Sequence, residues 1–277
     1  MLSSIANVAD FLVVNDNSGL ERSENVAVLE ASPFARDGRL QIVRRPFAGF
    51  ATMRNDSLAP LLALPRRPEW LLFIDADEVH GEQIVRIARE VLPKLSSDVG
   101  QLDGYTYHFY GTYRWITDVA RRMMFYRYSP ELRFVNDVHE KLVGLRGSAV
   151  VIPYAYHHYG NVQLPSRYAE KNLVYYEFGN ATPRPPDPEA ATLDVYLAKA
   201  ESVRPYHGAQ PRAAQGILAE LEAENRELFA ALDAAFAARR TPAVRRRTAL
   251  AGLVETLRIR LRSLQHPGLY RGPLSAR

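Results

Sequence analysis

The sequence has no cysteine, only four methionines and two tryptophans among its 277 residues. Without thiols, disulfides and thiolate-held metals are excluded, so any metal would have to be held by carboxylates and imidazoles. No run approaches the ~18 consecutive apolar residues a membrane-crossing helix needs. The first residues, MLSSIANVADFLVV, have neither the basic start nor the small-residue cleavage site of a secretory signal. Glycine-rich phosphate loops of the Walker or GxGxxG kind are missing, and no repeat is visible. Lysine is absent from Arg239 onward, where ten arginines face one acid, Glu255. That stretch carries +9 and leaves the first 238 residues at −5 of the chain's net +4. A basic tail on an acidic body argues against nucleic acid as the partner. The expected place of action is the cytoplasm.

Apolar runs alternate with helical patterns through the first hundred residues. Met1 to Ala9 reads as a partial helix, and Phe11 to Val14 as a strand closing on Asn15-Asp16-Asn17-Ser18-Gly19. Helices are expected over Ser23 to Ala31, Asn55 to Leu64 and Gly81 to Leu95, with a strand at Leu40 to Val43. Trp70-Leu71-Leu72-Phe73-Ile74, the most apolar run, ends in Asp75-Ala76-Asp77-Glu78. This order predicts an α/β fold around a mostly parallel central sheet. From Tyr105 to Ile152 the chain turns aromatic and strand-rich, expected to complete the sheet and wall a cleft; the aromatics of Tyr105 to Trp115 could form core or stack on a ligand's rings. Ser166 to Phe178 reads as a helix, Thr182 to Pro188 as a linker, and Ala190 to Ser202, Ala213 to Ala238 and Pro242 to Leu264 as further helices. Two parts are expected: 1–180, and a helical extension over 181–277.

Asp75 and Asp77, one residue apart at a strand end, can turn both carboxylates toward one cation. Carboxylate oxygens are hard ligands suited to Mg²⁺ or Mn²⁺. A solvated acidic loop, or a cap for the next helix, would use the same residues.

The apolar strand with its Asp-Ala-Asp-Glu, Arg54-Asn55 upstream, Val138-His139-Glu140, and His158-Tyr159-Gly160 stand in one order. In that order they resemble the family-2 glycosyltransferases of GT-A fold, in the branch related to lipopolysaccharide-core and other surface-glycan transferases. The resemblance spans roughly residues 1 to 180. It implies a Rossmann-like nucleotide-sugar domain followed by helices, and transfer of a sugar from a nucleotide-sugar donor to a glycan or lipid-linked acceptor with inversion. On it, Asp16 would contact the base or ribose, Arg54 the donor phosphates, and Asp75 the ribose or metal. Asp77 would bind the metal, and His158 would complete its shell.

Glu140 is the candidate general base, an inverting transfer needing a carboxylate to take the acceptor hydroxyl's proton, with Asp137 in reserve. Glu140 could instead pair with Lys141 or Arg146, and one of His157 and His158 is expected to be structural. Relatives begin with a further apolar strand ahead of the first helix, and this sequence lacks it, which should leave neighbouring strands without ladder partners. Ser18 is also followed by Gly19-Leu20-Glu21 where relatives carry a serine-x-aspartate arrangement. These departures keep a second reading open: a degenerate, non-catalytic relative that binds a glycan or partner. A metal-dependent phosphohydrolase is a third, though its usual order of residues is not present. The arginine-rich final helix, with Leu250, Leu253, Val254, Leu257, Leu261 and Leu264 at helical spacing, could lie at the inner face of an anionic membrane or pack on the body.

Overall fold

A computed structural model describes residues 1–18, 23–136, 140–179 and 183–265. In chain order, α1 (Leu2–Ile5) leads to β1 (Leu12–Asp16), then α2 (Glu24–Glu30), α3 (Pro33–Arg36), β2 (Leu40–Arg44) and α4 (Phe50–Leu62). Next come β3 (Trp70–Leu72), β4 (Glu78–Val79) and α5 (Gln83–Arg86), which runs on through a π turn and a 3-10 turn to Lys94. The long strands β5 (Val99–Tyr110) and β6 (Thr112–Arg127) follow, then β7 (Arg133–Val135), β8 (Lys141–Val143) and β9 (Ser148–His158). The remainder is α6 (Pro165–Glu177), α7 (Asp194–Leu197), β10 (Arg204–Pro205), α8 (Arg212–Glu224), α9 (Arg226–Ala238) and α10 (Pro242–Gln265).

The chain is mixed α/β, as its alternation of patterns implies. The expected mostly parallel sheet is a correction. In the six-stranded sheet the path runs β10-β6-β5-β9-β4, with β3 on β6, and only β5 and β9 pair in parallel. The cause lies in the aromatic stretch, which folds as one long hairpin. Gly111 sits at φ +70° between β5 and β6, where a side chain would be strained and would press on Phe236. Parallel pairing otherwise survives in the separate β1–β2 ribbon, Leu12 to Asp16 against Leu40 to Arg44.

Among the described residues, β1 and β3 each have a ladder partner on one side only. Both line one cavity of about 850 Å³, bordered by residues 8–15 and 66–76.

The main core lies under the sheet, where Ile84, Ile87 and Leu92 pack on Leu102, Phe125 and Tyr154. The helical extension is bound to the sheet by burial: Tyr196, Leu232 and Phe236 share a cluster with Tyr110 and Trp115. Arg114 adds ion pairs to Glu222 and Asp233 at 2.6 and 2.7 Å. The expected helix over Ala213 to Ala238 breaks at Asn225, and that over Ala190 to Ser202 shortens to α7.

Candidate functional site

After β3 the chain leaves the sheet for a four-residue turn. The Glu78 N–H donates to the Asp75 carbonyl at 3.0 Å, and the Asp75 N–H donates to Glu78 Oε2 at 3.0 Å. The turn is thus closed by its own last acid, and the other two carboxylates are left to point out. Burial, then the Asp75 and Asp77 charges, push the Glu78 carboxyl up to about 8. Glu78 therefore stands largely protonated at neutral pH, and it also accepts a bond from the Tyr156 hydroxyl.

One step later, β4 pairs with β9 so that Glu78 faces His158 and Val79 faces His157. This register carries His158 to Asp77: Nε2 lies 3.4 Å from Asp77 Oδ1. Lys171 of α6 lies 3.8 Å from Asp77 Oδ2 and donates to the Gly160 carbonyl at 2.9 Å. A Cβ at Gly160 would collide with Asp77 Oδ2 and come within 2.8 Å of both Lys171 Nζ and His158 Cε1. Glycine at 160 is what lets these three groups converge.

On the other side of the turn stands Arg54. Its helix, α4, starts at Phe50, ahead of the expected Asn55, so Arg54 and Asn55 lie within it on adjacent faces. Asn55 acts as a strand partner for β7: its Nδ2 donates to the Phe134 carbonyl at 3.0 Å, and its Oδ1 accepts the Phe134 N–H at 2.8 Å. Arg54 Nη2 reaches Asp75 Oδ1 at 2.6 Å, and its Nε reaches Glu140 Oε1 at 3.2 Å. Burial alone would lower the guanidinium's pKa, but Asp75 and Glu140 outweigh it and raise it. Glu140 is thereby paired with Arg54, while Arg146 pairs with Glu131.

The sequence-derived residues are thus drawn into two adjoining groups, Arg54 with Asp75 and Glu140, and Asp77 with His158. Asp16 is spent elsewhere. Its Oδ1 accepts the Ser18 N–H at 3.3 Å and its Oδ2 the Ser23 hydroxyl at 3.0 Å, and Ser23 caps α2. Burial raises its pKa, but these bonds more than offset it and hold the carboxyl below its usual range. None of those bonds reaches the Asp75–Asp77 turn. Asp137 lies outside the described residues.

Three groups escaped the sequence reading: Glu78 as a neutral clasp, Lys171, and Tyr175. Glu78 was visible in the motif, but its neutrality comes from burial that only the fold supplies. Lys171 is one polar residue of a helix and carries no local signal. Tyr175 stacks on Phe50 at 5.2 Å. Its hydroxyl is raised first by burial and then by Asp75, Glu140 and Asp77, which marks it as facing the acids. His157 is the structural member of the histidine pair, buried with Nε2 2.7 Å from the Tyr206 hydroxyl and pushed by burial down to about 4.

Could the turn hold a divalent cation? Among the described residues, no three His, Asp or Glu side chains are grouped for one. The expected trio of Asp75, Asp77 and His158 therefore does not close into a cage, because Asp75 gives its Oδ1 to Arg54. What fits is a two-residue seat. Asp77 Oδ1 is buried with no hydrogen-bond partner, His158 Nε2 faces it at 3.4 Å, and burial keeps the His158 ring neutral by lowering its pKa. A hard ion that retains waters and takes ligand oxygens can use such a seat. The adjoining cavity reaches Arg54, Asp75 and Ala76, so the turn borders a hollow.

In comparison with known proteins, the chain matches no protein-family model and no curated protein.

Proposed function

We propose that this chain is a metal-dependent, inverting glycosyltransferase of GT-A type that moves a sugar from a nucleotide-sugar donor to a glycan or lipid-linked acceptor in the cytoplasm. The observation that carries the reading is the pairing of two half-exposed acids with fixed cations around one turn. Asp75 and Asp77 are 44% and 36% exposed at the side chain, and Arg54 and Lys171 stand on opposite sides of them. A departing nucleoside diphosphate gathers negative charge as the sugar–oxygen bond breaks. Cations preset where that charge appears lower the barrier without reorganising. Arg54 spends only part of its five-donor fork on Asp75 and Glu140, leaving donors for a phosphate. Asp77 and His158 would hold a Mn²⁺ or Mg²⁺ ion, which when bound would neutralise the diphosphate.

On the acceptor side Glu140 takes the proton of the attacking hydroxyl as its oxygen bonds to the anomeric carbon, while the diphosphate leaves with the bonding pair. Arg54, touching both Asp75 and Glu140, sets the spacing between donor and acceptor groups. A second reading is a non-catalytic relative that binds a glycan or partner; among the described residues β1 and β3 pair on one edge only, beside the cavity that borders the turn.

Titration of the protein with UDP and GDP, with and without Mn²⁺, separates the two readings. The transferase reading expects nucleotide binding strengthened by the metal and abolished in Asp77→Ala. No binding to either nucleotide would favour the non-catalytic relative, and full affinity in Asp77→Ala would overturn the metal assignment.

A further inference from the structure

The apolar stripe of α10 faces away from the body. Val244 and Thr248 are buried against the protein, and Glu255 is ion-paired with Arg204 of β10. Arg247 reaches the Glu201 carbonyl at 3.1 Å. On a helix of 3.6 residues per turn these contacts fix which side looks inward. Leu250, Leu253, Val254, Leu257 and Leu261 fall within one arc on the opposite side, and they are between 40% and 62% exposed. A leucine-rich face that packed inward would need no explanation. One turned to solvent over about 17 Å of helix, from Leu250 to Leu261, costs free energy unless something covers it.

The charge around the stripe decides what covers it. Arg245, Arg246, Arg247 and Arg258 are all exposed. Six arginines and one glutamate give Pro242–Gln265 a balance of +5, and the single acid is turned inward and neutralised by Arg204. A second copy of the helix would bring two such charges face to face. An anionic lipid surface accepts both components, the leucines entering the acyl boundary and the guanidinium groups resting among phosphates. Arginine suits phosphate because its planar fork binds in a bidentate manner. No helix among the described residues is long and apolar enough to cross a membrane, so the contact would lie in the membrane plane.

We propose that α10 docks this protein on anionic phospholipid bilayers through the Leu250–Leu261 face and its flanking arginines. The inference does not depend on the reading of the acidic turn.

Flotation of the full chain with vesicles of phosphatidylserine in phosphatidylcholine, against phosphatidylcholine alone, tests it. Binding should be at least ~10-fold stronger on the anionic vesicles and should weaken in high salt. Leu253→Glu with Leu257→Glu should abolish it, and Arg246→Gln with Arg258→Gln should reduce it by roughly tenfold or more. All four positions are exposed, so an unchanged melting temperature confirms that the fold is retained. No flotation, equal flotation on neutral vesicles, or undiminished flotation of the leucine variant overturns the proposal. So does a dimer that the leucine variant dissolves and that lipid does not compete away, since a second copy would then cover the face.

Discussion

Arg54 touches Asp75 at 2.6 Å with Nη2 while its Nε, on the same rigid fork, lies 3.2 Å from Glu140. A single guanidinium therefore measures the gap between an acid of the turn and the acid that precedes β8. All three side chains are partly shielded, with Arg54 20%, Glu140 21% and Asp75 44% exposed. Truncation would leave two carboxylates facing each other without their shared cation.

Arg54→Ala is expected to lower unfolding free energy by ~1–3 kcal/mol, discounted for that exposure, and to cost roughly 100-fold in transfer or in nucleotide affinity. Arg54→Lys should restore the charge but little of the function, because an ammonium cannot span both acids. Denaturant melts and calorimetric nucleotide titration measure the two effects separately. Wild-type affinity in Arg54→Ala would remove the guanidinium from the donor site.

The buried titratable groups predict a stability optimum with two different flanks. Burial, with His157 and the chain's own N-terminus adding to it, drives the His80 ring down to about 3; its Nδ1 bonds the Tyr154 hydroxyl at 2.9 Å. His157 is held near 4 by burial. In the unfolded chain both would protonate near 6.5, so stability is complete above that pH and falls as pH drops from about 6.5 toward 3–4. At pH 5 each histidine should cost ~2 kcal/mol, a large part of an ordinary domain's stability. Glu78 acts in the opposite sense. Its carboxyl is raised from 4.5 to about 8, so the folded state holds a proton the unfolded state releases, and stability declines as pH rises through that window. Glu78→Gln, which mimics the neutral acid, should match the wild type at pH 5 and exceed it at pH 8. His80→Phe should flatten the acidic flank. Urea melts across pH 4–9 read both slopes, and a Glu78→Gln profile parallel to the wild type would refute the neutral clasp.

What the sequence disclosed follows from the reach of its signals. The strand ending in Asp75 and Asp77 was legible because five consecutive apolar residues running into acids is a local pattern. Arg54 and Glu140 were singled out separately, and only the fold shows that one grips the other across 86 positions. The sheet was misjudged because period and composition mark strands without marking direction, and Gly111 alone turns the aromatic stretch back on itself. Lys171 could not be found, and Gly160 was legible only as part of a motif, since their roles depend on groups meeting between β4, β9 and α6. The leucines of α10 were legible as a stripe, but not the side on which they lie.

β1 and β3 line one cavity of about 850 Å³. Asn15, at the end of β1, donates Nδ2 to the Met53 carbonyl at 3.1 Å, and Asp75, just past β3, meets Arg54. Both carboxyl ends thus close on consecutive residues of α4, so the two strands run the same way. Among the described residues each pairs on one edge only, so a third parallel strand could pair with both at once. Met1 borders the same cavity, and its amino group lies close enough to Asp77 for that charge to oppose the lowering of its pKa by burial. A strand placed in the cavity and ending at the acidic turn could therefore pass directly into α1. An engineered extension of about six residues, rich in valine and isoleucine and fused ahead of Met1, should raise unfolding free energy by ~2 kcal/mol or more. It should also slow amide exchange over Leu12–Asp16 and Trp70–Leu72 together, while a glycine–serine extension of equal length does neither. Equal behaviour of the two extensions would mean that the hollow is not built to receive a strand.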